Sequence, residues 1–441
     1  MLTNNFKQNG MKTDSCFVAD SHQAAQEEIA VFSSASKTIT VSKPVLKEEN
    51  GMVVLSAEVS GAVSGTCFFS TEQANRDYVD SVSSNCFLIG LLYTAMYAGC
   101  DLVLEGAVSE KLLFHMRHYL IPILVDYFEG MLHPINVQAK QLISITRPDA
   151  DAVGTGFSGG VDSFHTVKEF YLDYDGPAQD KINTILFFNV GSHGMGNSKE
   201  RLAWLENKFK ERKKKLMGYT EAIGLPFVTV NSNVFSFMQS GHLQTCSLAT
   251  CSAALFLAGK LRLYYIASTG FTYHDFIYLL YKYKDYDIAD IDEVVLPHIC
   301  TESFSVVSGG AACSRTEKTI AICSDSLVQK YLNVCANQKT VTANCTTCYK
   351  CIQTIVTLDI LGVLDKFSGV FDLKKYTPRT QARYFALVLN KRKQDPYYRD
   401  IYELAKEKNF DLYGKTSIPI RLYMSFTETK LYRFLHRLWK E

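Results

Sequence analysis

The first part of the chain alternates short apolar runs with turn-forming residues. The runs at 38–41, 52–55 and 67–69 are rich in β-branched and aromatic residues and predict short strands. Glu49-Asn50-Gly51 has the composition of a turn between two of them. A small sheet is therefore predicted in this region.

Apolar residues at helical spacing follow over 78–98 and 109–128, and they predict two buried helices. Arg147-Pro148-Asp149 ends this pattern, because proline continues neither a helix nor a central strand. We therefore place a boundary near Pro148 and predict an accessory α+β domain over residues 1–148. Its side chains suggest no particular chemistry.

From residue 153 onward, predicted strands and helices alternate, which is typical of a parallel sheet covered by helices on both faces. The predicted strands lie at 184–189, 226–230 and 264–267, and the predicted helices at 163–172, 199–223 and 248–261. After Cys351 the pattern is helical to the end. We therefore predict an α/β domain over 149–354 and a helical C-terminal extension over 355–441.

Composition and charge narrow the setting of the protein. The chain is 47% hydrophobic and 21% charged with a net charge of +1, as in ordinary globular proteins. Only residues 371–441 are basic, with sixteen Lys and Arg against eight Asp and Glu. The longest apolar run, 87–99, is too short to span a bilayer, and residues 1–20 lack the apolar core of a secretory signal. We expect a cytoplasmic protein with no membrane partner, which also suits an odd count of thirteen cysteines.

The first candidate for chemistry is Ser158-Gly159-Gly160-Val161-Asp162-Ser163, where a predicted strand ends and a helix begins. At such a turn backbone N–H groups converge in front of the positive end of the helix dipole, and glycine lets a phosphate approach. The string therefore predicts a pyrophosphate site to which Ser158 and Ser163 add hydroxyl donors. Asp162 repels phosphate, so we assign it to a Mg²⁺ ion that bridges the phosphates. A plain helix N-cap is the alternative interpretation of a shorter Ser-Gly-Gly string.

These six residues match the SGGxDS signature, and on that match the chain resembles the PP-loop ATP pyrophosphatase family. The loop is not a Walker A loop, because no Gly-Lys-Ser/Thr follows at the right spacing. The resemblance implies an adenine nucleotide alpha hydrolase-like fold, binding of ATP, cleavage between its α and β phosphates, and transfer of AMP. It makes Ser158, Asp162 and Ser163 the expected catalytic residues of the loop.

The second predicted strand of this region ends in Phe188-Asn189-Val190-Gly191. In open parallel sheets the ligand lies across the carboxyl ends of the strands, so we expect this backbone to meet the adenine. His193 follows two residues later. It is expected either to act directly, by contacting a phosphate or serving as a base, or to be a solvated loop residue with no such role.

Four cysteines lie close together further along the chain: Cys335, Cys345, Cys348 and Cys351. Two overlapping C-x-x-C steps and one earlier cysteine supply four thiolates, the ligand set of a tetrahedral Zn²⁺. A redox dithiol needs only two cysteines, and an iron–sulfur cluster is the remaining alternative. Because four thiolates leave no open position for water, we expect a structural zinc. Lys350 lies between these cysteines and is expected to offset part of the thiolate charge.

Within the family, residues 154–351 resemble 7-cyano-7-deazaguanine synthase, the QueC branch. The resemblance rests on the glycine loop, the strand end at 188–191, IleAlaSerThrGly at 266–270, Ser314-Arg315-Thr316-Glu317 and the four cysteines. It implies adenylation of a carboxylate, of the deazaguanine type or another, followed by attack of ammonia or an amine. Arg315 and Lys318 are then expected to neutralise phosphate, with ion pairs to Glu317 as the alternative. Gly270 is expected beside the nucleotide.

Two segments, His242-Leu243-Gln244 and Tyr273-His274-Asp275-Phe276, depart from the substrate region of that enzyme, so the acceptor stays open. Longer QueC-like proteins, including those of antiphage defence operons, resemble this chain in length, and that resemblance implies a protein partner. A second hypothesis is tRNA thiolation, favoured by the basic, aromatic C-terminal extension and requiring a sulfur carrier at Cys246 or Cys251. A third hypothesis is a non-catalytic ATP-binding scaffold. Whether the chain assembles as a homo-oligomer stays open.

Overall fold

The computed structural model describes residues 31–32, 37–192, 198–238, 240–276, 286–337, 340 and 342–427. In these ranges the chain forms a large α/β sheet flanked by helices. The strands are β1 (Val31–Phe32), β2 (Thr38–Val41), β3 (Val45–Glu49), β4 (Met52–Gly61), β5 (Val63–Glu72), β6 (Asp101–Ser109), β7 (Val137–Ile143), β8 (Ala152–Gly156), β9 (Thr184–Asn189), β10 (Phe227–Ser232), β11 (Leu261–Ala267) and β12 (Ser305–Gly309).

The α-helices of the described ranges are α1 (Asn85–Ala98), α2 (Glu110–His115), α3 (Ile121–Tyr127), α4 (Val161–Val167), α5 (Lys199–Ile223), α6 (Val234–Phe237), α7 (His242–Phe256), α8 (Asp292–Val295), α9 (Arg315–Ile322), α10 (Ser326–Tyr331), α11 (Tyr349–Ile360), α12 (Pro378–Lys391), α13 (Pro396–Glu407) and α14 (Ile418–Thr427). A π-helical segment, Met116–Leu120, joins α2 to α3, and another, Lys168–Leu172, continues α4.

The strand order is β12-β11-β8-β9-β10-β5-β4-β2-β6-β7, with β3 paired to β4 and β1 to β5. Strands β8 to β12 are all parallel, and β2, β6 and β7 form a second parallel group. Between the two groups, β5 pairs antiparallel with β10, which brings Ser70 opposite Asn231. The sheet is therefore mostly parallel, as predicted for the region after residue 153. It also continues into the region before Pro148, since β5 and β10 belong to opposite sides of the predicted boundary.

The group β8 to β12 is covered on both faces. Every residue of β9 is buried, with Ile185 and Phe187 in one core and Leu186 and Phe188 in the other. Helices α4, α5 and α11 contribute to the first core, and α1 and α7 to the second. Two-sided burial of this kind is what parallel strands require when helices cover both faces.

Strands β2, β4 and β6 instead bury every second residue over most of their length. In β6, Leu102 and Leu104 are fully buried, whereas their neighbours Val103 and Glu105 are half-buried. The buried face packs beneath α1, most of whose residues are themselves buried. This part of the sheet therefore has one strongly packed face.

A third core joins the C-terminal helices to the rest of the molecule. Val356 of α11, Phe385 of α12 and Leu404 of α13 are buried together in it. Within the described ranges, each helix is either too short or too polar to cross a membrane.

Several predicted elements are confirmed at their bounds, namely the strands 38–41 and 184–189 and the helix 199–223. The helix predicted over 78–98 is wrong in its first part, because α1 begins at Asn85. There Asp80 accepts hydrogen bonds from the Ser83 hydroxyl and the Val82 N–H, and such local bonds compete with helix formation.

The helix predicted over 248–261 is displaced in the structure. It is α7, which begins at His242 and ends at Phe256, while Leu261 already opens β11. A continuous apolar run does not by itself distinguish the end of a buried helix from the start of a buried strand. The sequence interpretation also missed β6 and β7.

Candidate functional site

Two cavities open at the edge of the sheet where β8, β9 and β11 end. Cavity A has a volume of about 460 Å³ and is walled by Leu243, Phe271, Tyr349, Gln353, Pro396 and Tyr397. Cavity B has a volume of about 370 Å³ and is walled by Phe188, Val190, His242, Cys246, Ile266 and Asn333. The two cavities share a border made of Gly156, Ser158, Asp162, Ala267, Thr269, Arg315 and Lys350.

The glycine loop lies on this border. It leaves β8 with the Phe157 N–H bonded to Leu186 O of β9 at 2.8 Å, and it enters α4 with Gly160 as the N-cap residue. Gly159 has a φ of +75°, and a Cβ there would lie 3.1 Å from Leu216 Cδ2. Glycine is therefore required at 159 both for its backbone conformation and for the close packing against α5.

Two contacts from outside fix the carbonyl groups of the loop. Arg212 of α5 donates to Ser158 O at 3.0 Å, and the Asn333 N–H donates to Gly159 O at 2.6 Å. The first N–H groups of a helix have no partner within the helix, so those that begin α4 remain to face a ligand. The Ser158 and Ser163 hydroxyl oxygens lie 3.4 Å apart beside them. This geometry suits an anion with several oxygens.

Asp162 is held by two cations of α9. Arg315 donates through Nη2 to Asp162 Oδ2, and Lys318 Nζ lies 3.8 Å from Asp162 Oδ1. Burial acts to raise the pKa of Asp162, but Arg315 and then Lys318 and Lys350 outweigh it and lower that pKa below its usual value. Asp162 is therefore an ionised carboxylate, and its Oδ1 has no hydrogen-bond partner among the described residues.

The predicted catalytic residues differ in how they meet the cavities. Ser158, Asp162, Ser163 and Arg315 line cavity A. Lys318 lines neither cavity: it is fully buried behind Asp162, where its ammonium group donates to Ser268 O and Ser268 Oγ. Its charge therefore acts through Asp162 and not directly on a ligand.

Of the residues predicted to contact the nucleotide, some line cavity B and others lie away from it. Those lining cavity B are Ser158, Gly160, Val161, Asp162, Phe188 and Val190. Asn189 lies beside that cavity and bonds to Asn231 Oδ1 at 2.7 Å, and Gly191 packs against Phe235. Gly270 supports Arg315, since the Arg315 N–H donates to Gly270 O at 3.1 Å. His193 lies outside the described residues.

The C-terminal extension forms one wall of cavity A, which sequence reasoning missed. From α13 the Tyr397 hydroxyl donates to Thr269 O at 2.8 Å, and its ring stacks on Phe271 at 4.7 Å between centroids. The Arg315 guanidinium lies over the same ring at 5.5 Å. The neighbouring Tyr398 is buried in the third core. Tyr397 therefore forms part of the cavity wall, while Tyr398 anchors its helix in the core.

A salt bridge joins the same helix to the lip of cavity A. Arg399 bonds to Asp275 Oδ1 at 2.8 Å, and the Asp275 side chain is 1% exposed. Asp275 also accepts hydrogen bonds from Thr272. The segment that departs from the resembled enzyme thus anchors the C-terminal extension.

Gln353 and Lys350 also face the cavities and were not predicted to do so. Gln353 of α11 is 4% exposed, and its Oε1 has no hydrogen-bond partner among the described residues. Lys350, one turn earlier, borders both cavities. The signal in the sequence was their three-residue spacing at the start of a helix that begins within the last C-x-x-C step, because residues at i and i+3 share a face.

The four cysteines converge as predicted. The Sγ atoms of Cys335, Cys345, Cys348 and Cys351 all lie within 4.8 Å of one another, close enough to bind one metal ion and compatible with Zn²⁺. Among the described residues, no other group of three or more His, Cys, Asp or Glu has that geometry.

Hydrogen bonds to sulfur support a thiolate site. Cys335 Sγ accepts from the Cys345 N–H at 3.3 Å, Cys345 Sγ from the Cys348 N–H at 3.2 Å, and Cys348 Sγ from the Ala336 N–H at 3.4 Å. Donors of this kind stabilise thiolates and orient them toward a metal.

No protein-family model, no curated protein and no solved structure matches the chain. The likeness to known enzymes is therefore one of short motifs. Those motifs nevertheless meet in space, because the segment that leads into Cys335 bonds to the glycine loop through Asn333. The glycine loop, the pair Asp162 and Arg315, and the cysteine cluster form one connected site.

Proposed function

We propose that the chain is a QueC-like, AMP-forming ligase that binds ATP on the glycine loop and activates a carboxylate for attack by ammonia or an amine. The observation that carries this proposal is the pair of cavities that meet at Ser158, Asp162, Arg315 and Lys350. An enzyme that transfers AMP needs two substrate positions that touch at the α-phosphate, and this border offers such a point.

Cavity B is the better position for ATP. It contains the start of α4 together with Phe188 and Val190 at the end of β9, so an adenine would meet apolar side chains and the phosphates would meet the loop. A Mg²⁺ ion would have one carboxylate ligand here, Asp162 Oδ1, which accepts no hydrogen bond from the described residues and lies 3.8 Å from Lys318 Nζ. When bound, that ion would neutralise phosphate charge.

Cavity A is the better position for the second substrate. Phe271, Tyr349 and Tyr397 offer aromatic surface for a planar group. Arg315 Nε and Gln353 Oε1 are a buried donor and a buried acceptor that find no hydrogen-bond partner in the described ranges, and the arginine suits a carboxylate. The aromatic walls therefore support an aromatic or heteroaromatic substrate, the deazaguanine type included, with its carboxylate toward Arg315 and away from Asp287, Asp290 and Asp395, which also line the cavity.

The proposed reaction has two steps. A carboxylate oxygen attacks the α-phosphorus, the bond to the bridging oxygen breaks, and pyrophosphate leaves with the electron pair. Ammonia or an amine then attacks the acyl carbon, the acyl C–O bond breaks, AMP departs and the nitrogen loses a proton. The N–H groups at the start of α4 stabilise the charge that develops on pyrophosphate, and Arg315 orients the carboxylate.

The two rival hypotheses receive less support. For tRNA thiolation a reactive thiolate is needed near ATP, but burial raises the pKa of both Cys246 and Cys251. Two tyrosines of the basic C-terminal extension are engaged within the protein: Tyr397 stacks on Phe271 at the wall of cavity A, and Tyr398 is buried in the third core. A scaffold without turnover would have no need of a carboxylate at Asp162, which faces both cavities beside two cations. A small-molecule amine or a protein partner remains our proposed acceptor.

Product analysis tests the proposal directly. ATP labelled at the α-phosphate is incubated with Mg²⁺, ammonium and a panel of aromatic carboxylates that includes 7-carboxy-7-deazaguanine. We expect AMP and pyrophosphate in equal amounts, dependent on one carboxylate, and trapping of the acyl-adenylate when hydroxylamine replaces ammonium. ADP and phosphate as products would show that the glycine loop serves a different reaction.

A further inference from the structure

We propose that Lys350 is a catalytic cation of the phosphate site, and that the cysteine cluster presents it to the glycine loop. This inference rests on the proposed function, because it assigns a role in the same site. It differs from the expectation raised by the sequence, in which Lys350 only offsets the charge of the thiolates that flank it.

The position of Lys350 is the first observation. Cys348 is the N-cap residue of α11, and Lys350 is the second residue of that helix. Its side chain borders both cavities, as do only a few other residues, Asp162 and Arg315 among them. A cation at this border lies where the α-phosphate would pass from one substrate to the other.

The second observation is that the ammonium group of Lys350 makes no hydrogen bond or ion pair within the described part of the chain. The other cation of the border, Arg315, holds Asp162, and so does Lys318 behind it. Arg212, which lines cavity B, bonds to Ser158 O. A half-buried ammonium group without a partner costs free energy, which an incoming phosphate offsets. Lys350 is therefore the border cation that is available to a ligand.

The third observation links this lysine to the cysteine cluster. Cys348 and Cys351 lie on either side of it, and the segment before Cys335 bonds to the glycine loop through the Asn333 N–H and Gly159 O. A metal held by these thiolates fixes the start of α11 relative to the loop. The distance between Lys350 and the loop is then set by the metal site.

The test compares Lys350→Met with Lys350→Arg and with Lys366→Met, which removes the same charge from an exposed position outside both cavities. The probes are α,β-methylene-ATP with Mg²⁺, which cannot be cleaved between the α and β phosphates, and inorganic pyrophosphate. We expect Lys350→Met to weaken the binding of both probes by about 10- to 100-fold, the range of a hydrogen bond to a charged group. Lys350→Arg should recover part of the affinity, and Lys366→Met should match the wild type.

Metal content separates this role from the alternative. We expect one zinc per chain in wild type and in all three variants. Equal affinity of Lys350→Met and wild type would overturn the inference alone, and so would loss of zinc from Lys350→Met, because the charge would then act on the thiolates. If wild type itself does not bind the methylene analogue, the proposed function fails and this inference with it. Should Lys350→Met fail to fold, Lys350→Gln, which keeps a polar side chain, replaces it under the same criteria.

Discussion

Two strand-to-helix turns of the same sheet are filled in different ways. At the turn from β6 to α2, Glu302 accepts hydrogen bonds from the Ser109 hydroxyl at 2.8 Å and from the Lys111 N–H at 3.2 Å. At the turn from β8 to α4, the acidic residue of the first turn, Asp162, is paired with Arg315 and Lys318. No carboxylate of the described chain accepts a hydrogen bond from the backbone N–H groups of this turn, and the glycine loop opens into cavity B. One helix N-terminus is closed by the protein, and the other is open.

The difference shows what makes a helix N-terminus a binding site. Any such terminus attracts an anion. At the closed turn a carboxylate of the protein already accepts hydrogen bonds from the donors, so no donor remains for an external anion. The turn from β12 to α9 is closed in a similar way, since Glu317 accepts from the Ser314 N–H at 2.7 Å. Glycines at the open turn remove the side chains that would otherwise fill the space. Whether a helix N-terminus is open to a ligand depends less on where the turn lies along the sheet than on whether a carboxylate of the chain already accepts hydrogen bonds from its N–H groups.

The largest effect is expected from Asp162→Asn at the open turn. This change removes the carboxylate that holds Arg315 and Lys318 and that would bind Mg²⁺, so Arg315 is no longer fixed at the phosphate site. We expect the rate of pyrophosphate formation to fall by about 10²- to 10³-fold. Because a buried ion pair is broken, the free energy of unfolding should also fall, by roughly 3–5 kcal/mol. Pyrophosphate release and chemical denaturation measure the two effects.

Two further variants keep this prediction specific. Ser158→Ala removes a hydroxyl whose side-chain contacts are all 3.4 Å long, so activity should fall while stability stays near wild type. Asp180→Asn breaks a comparable ion pair with Arg262 at the opposite end of β11 and should leave the rate unchanged. Full activity in Asp162→Asn would mean that the open turn is not the phosphate site.

Loss of the metal site should weaken ligand binding at the open turn and leave the closed turn unchanged. Cys348→Ala removes one of four ligands, and loss of a structural metal lowers the free energy of unfolding by roughly 3–5 kcal/mol. We expect zinc content to fall below one per chain and the affinity for α,β-methylene-ATP to drop, since the Asn333 contact to the loop loosens. Elemental analysis and nucleotide titration measure both.

Cys323→Ala is the matched control, because Cys323 is a half-buried cysteine outside the cluster. It should keep its zinc and its nucleotide affinity. Iron in anaerobically purified wild-type protein would contradict the zinc assignment, while nucleotide binding that survives complete removal of the metal would separate the cluster from the loop.

Contiguous motifs made the open turn predictable from the sequence. The glycine loop and the cysteine spacing each carry their geometry in a few neighbouring residues, and the buried strand at 184–189 has a uniform apolar pattern. The partners of Asp162 could be suspected only from a resemblance, because Arg315 is 153 residues away. The sequence shows that Arg315 and Lys318 lie close together along the chain. It does not show that Arg315 faces a cavity while Lys318 lies behind Asp162.

Contacts that depend on how helices pack were out of reach. Tyr397 reaches Thr269 across 128 residues, and nothing in its local pattern distinguishes a cavity wall from a basic surface. The same holds for Lys350, whose direction depends on the phase of α11, the helix that begins at Tyr349 between the last two cysteines. The closure of the other turn by Glu302 is equally long-range, at 193 residues from Ser109.

The smallest effect is expected at the closed turn, from Glu302→Ala. This change removes two hydrogen bonds and the charge that faces the N-terminus of α2, in a half-buried position. We expect the free energy of unfolding to fall by about 1–2 kcal/mol, with no change in the affinity for α,β-methylene-ATP. The emptied N-terminus of α2 should gain little affinity for pyrophosphate, because Ser109 and Lys111 keep side chains where the open turn has glycines. Glu317→Ala tests the turn before α9 in the same way, but Glu317 lies two residues from Arg315, so this variant should weaken nucleotide binding as well. If Glu302→Ala bound pyrophosphate as tightly as the glycine loop does, an empty helix N-terminus alone would be enough for a site, and the role assigned to the two glycines would be wrong.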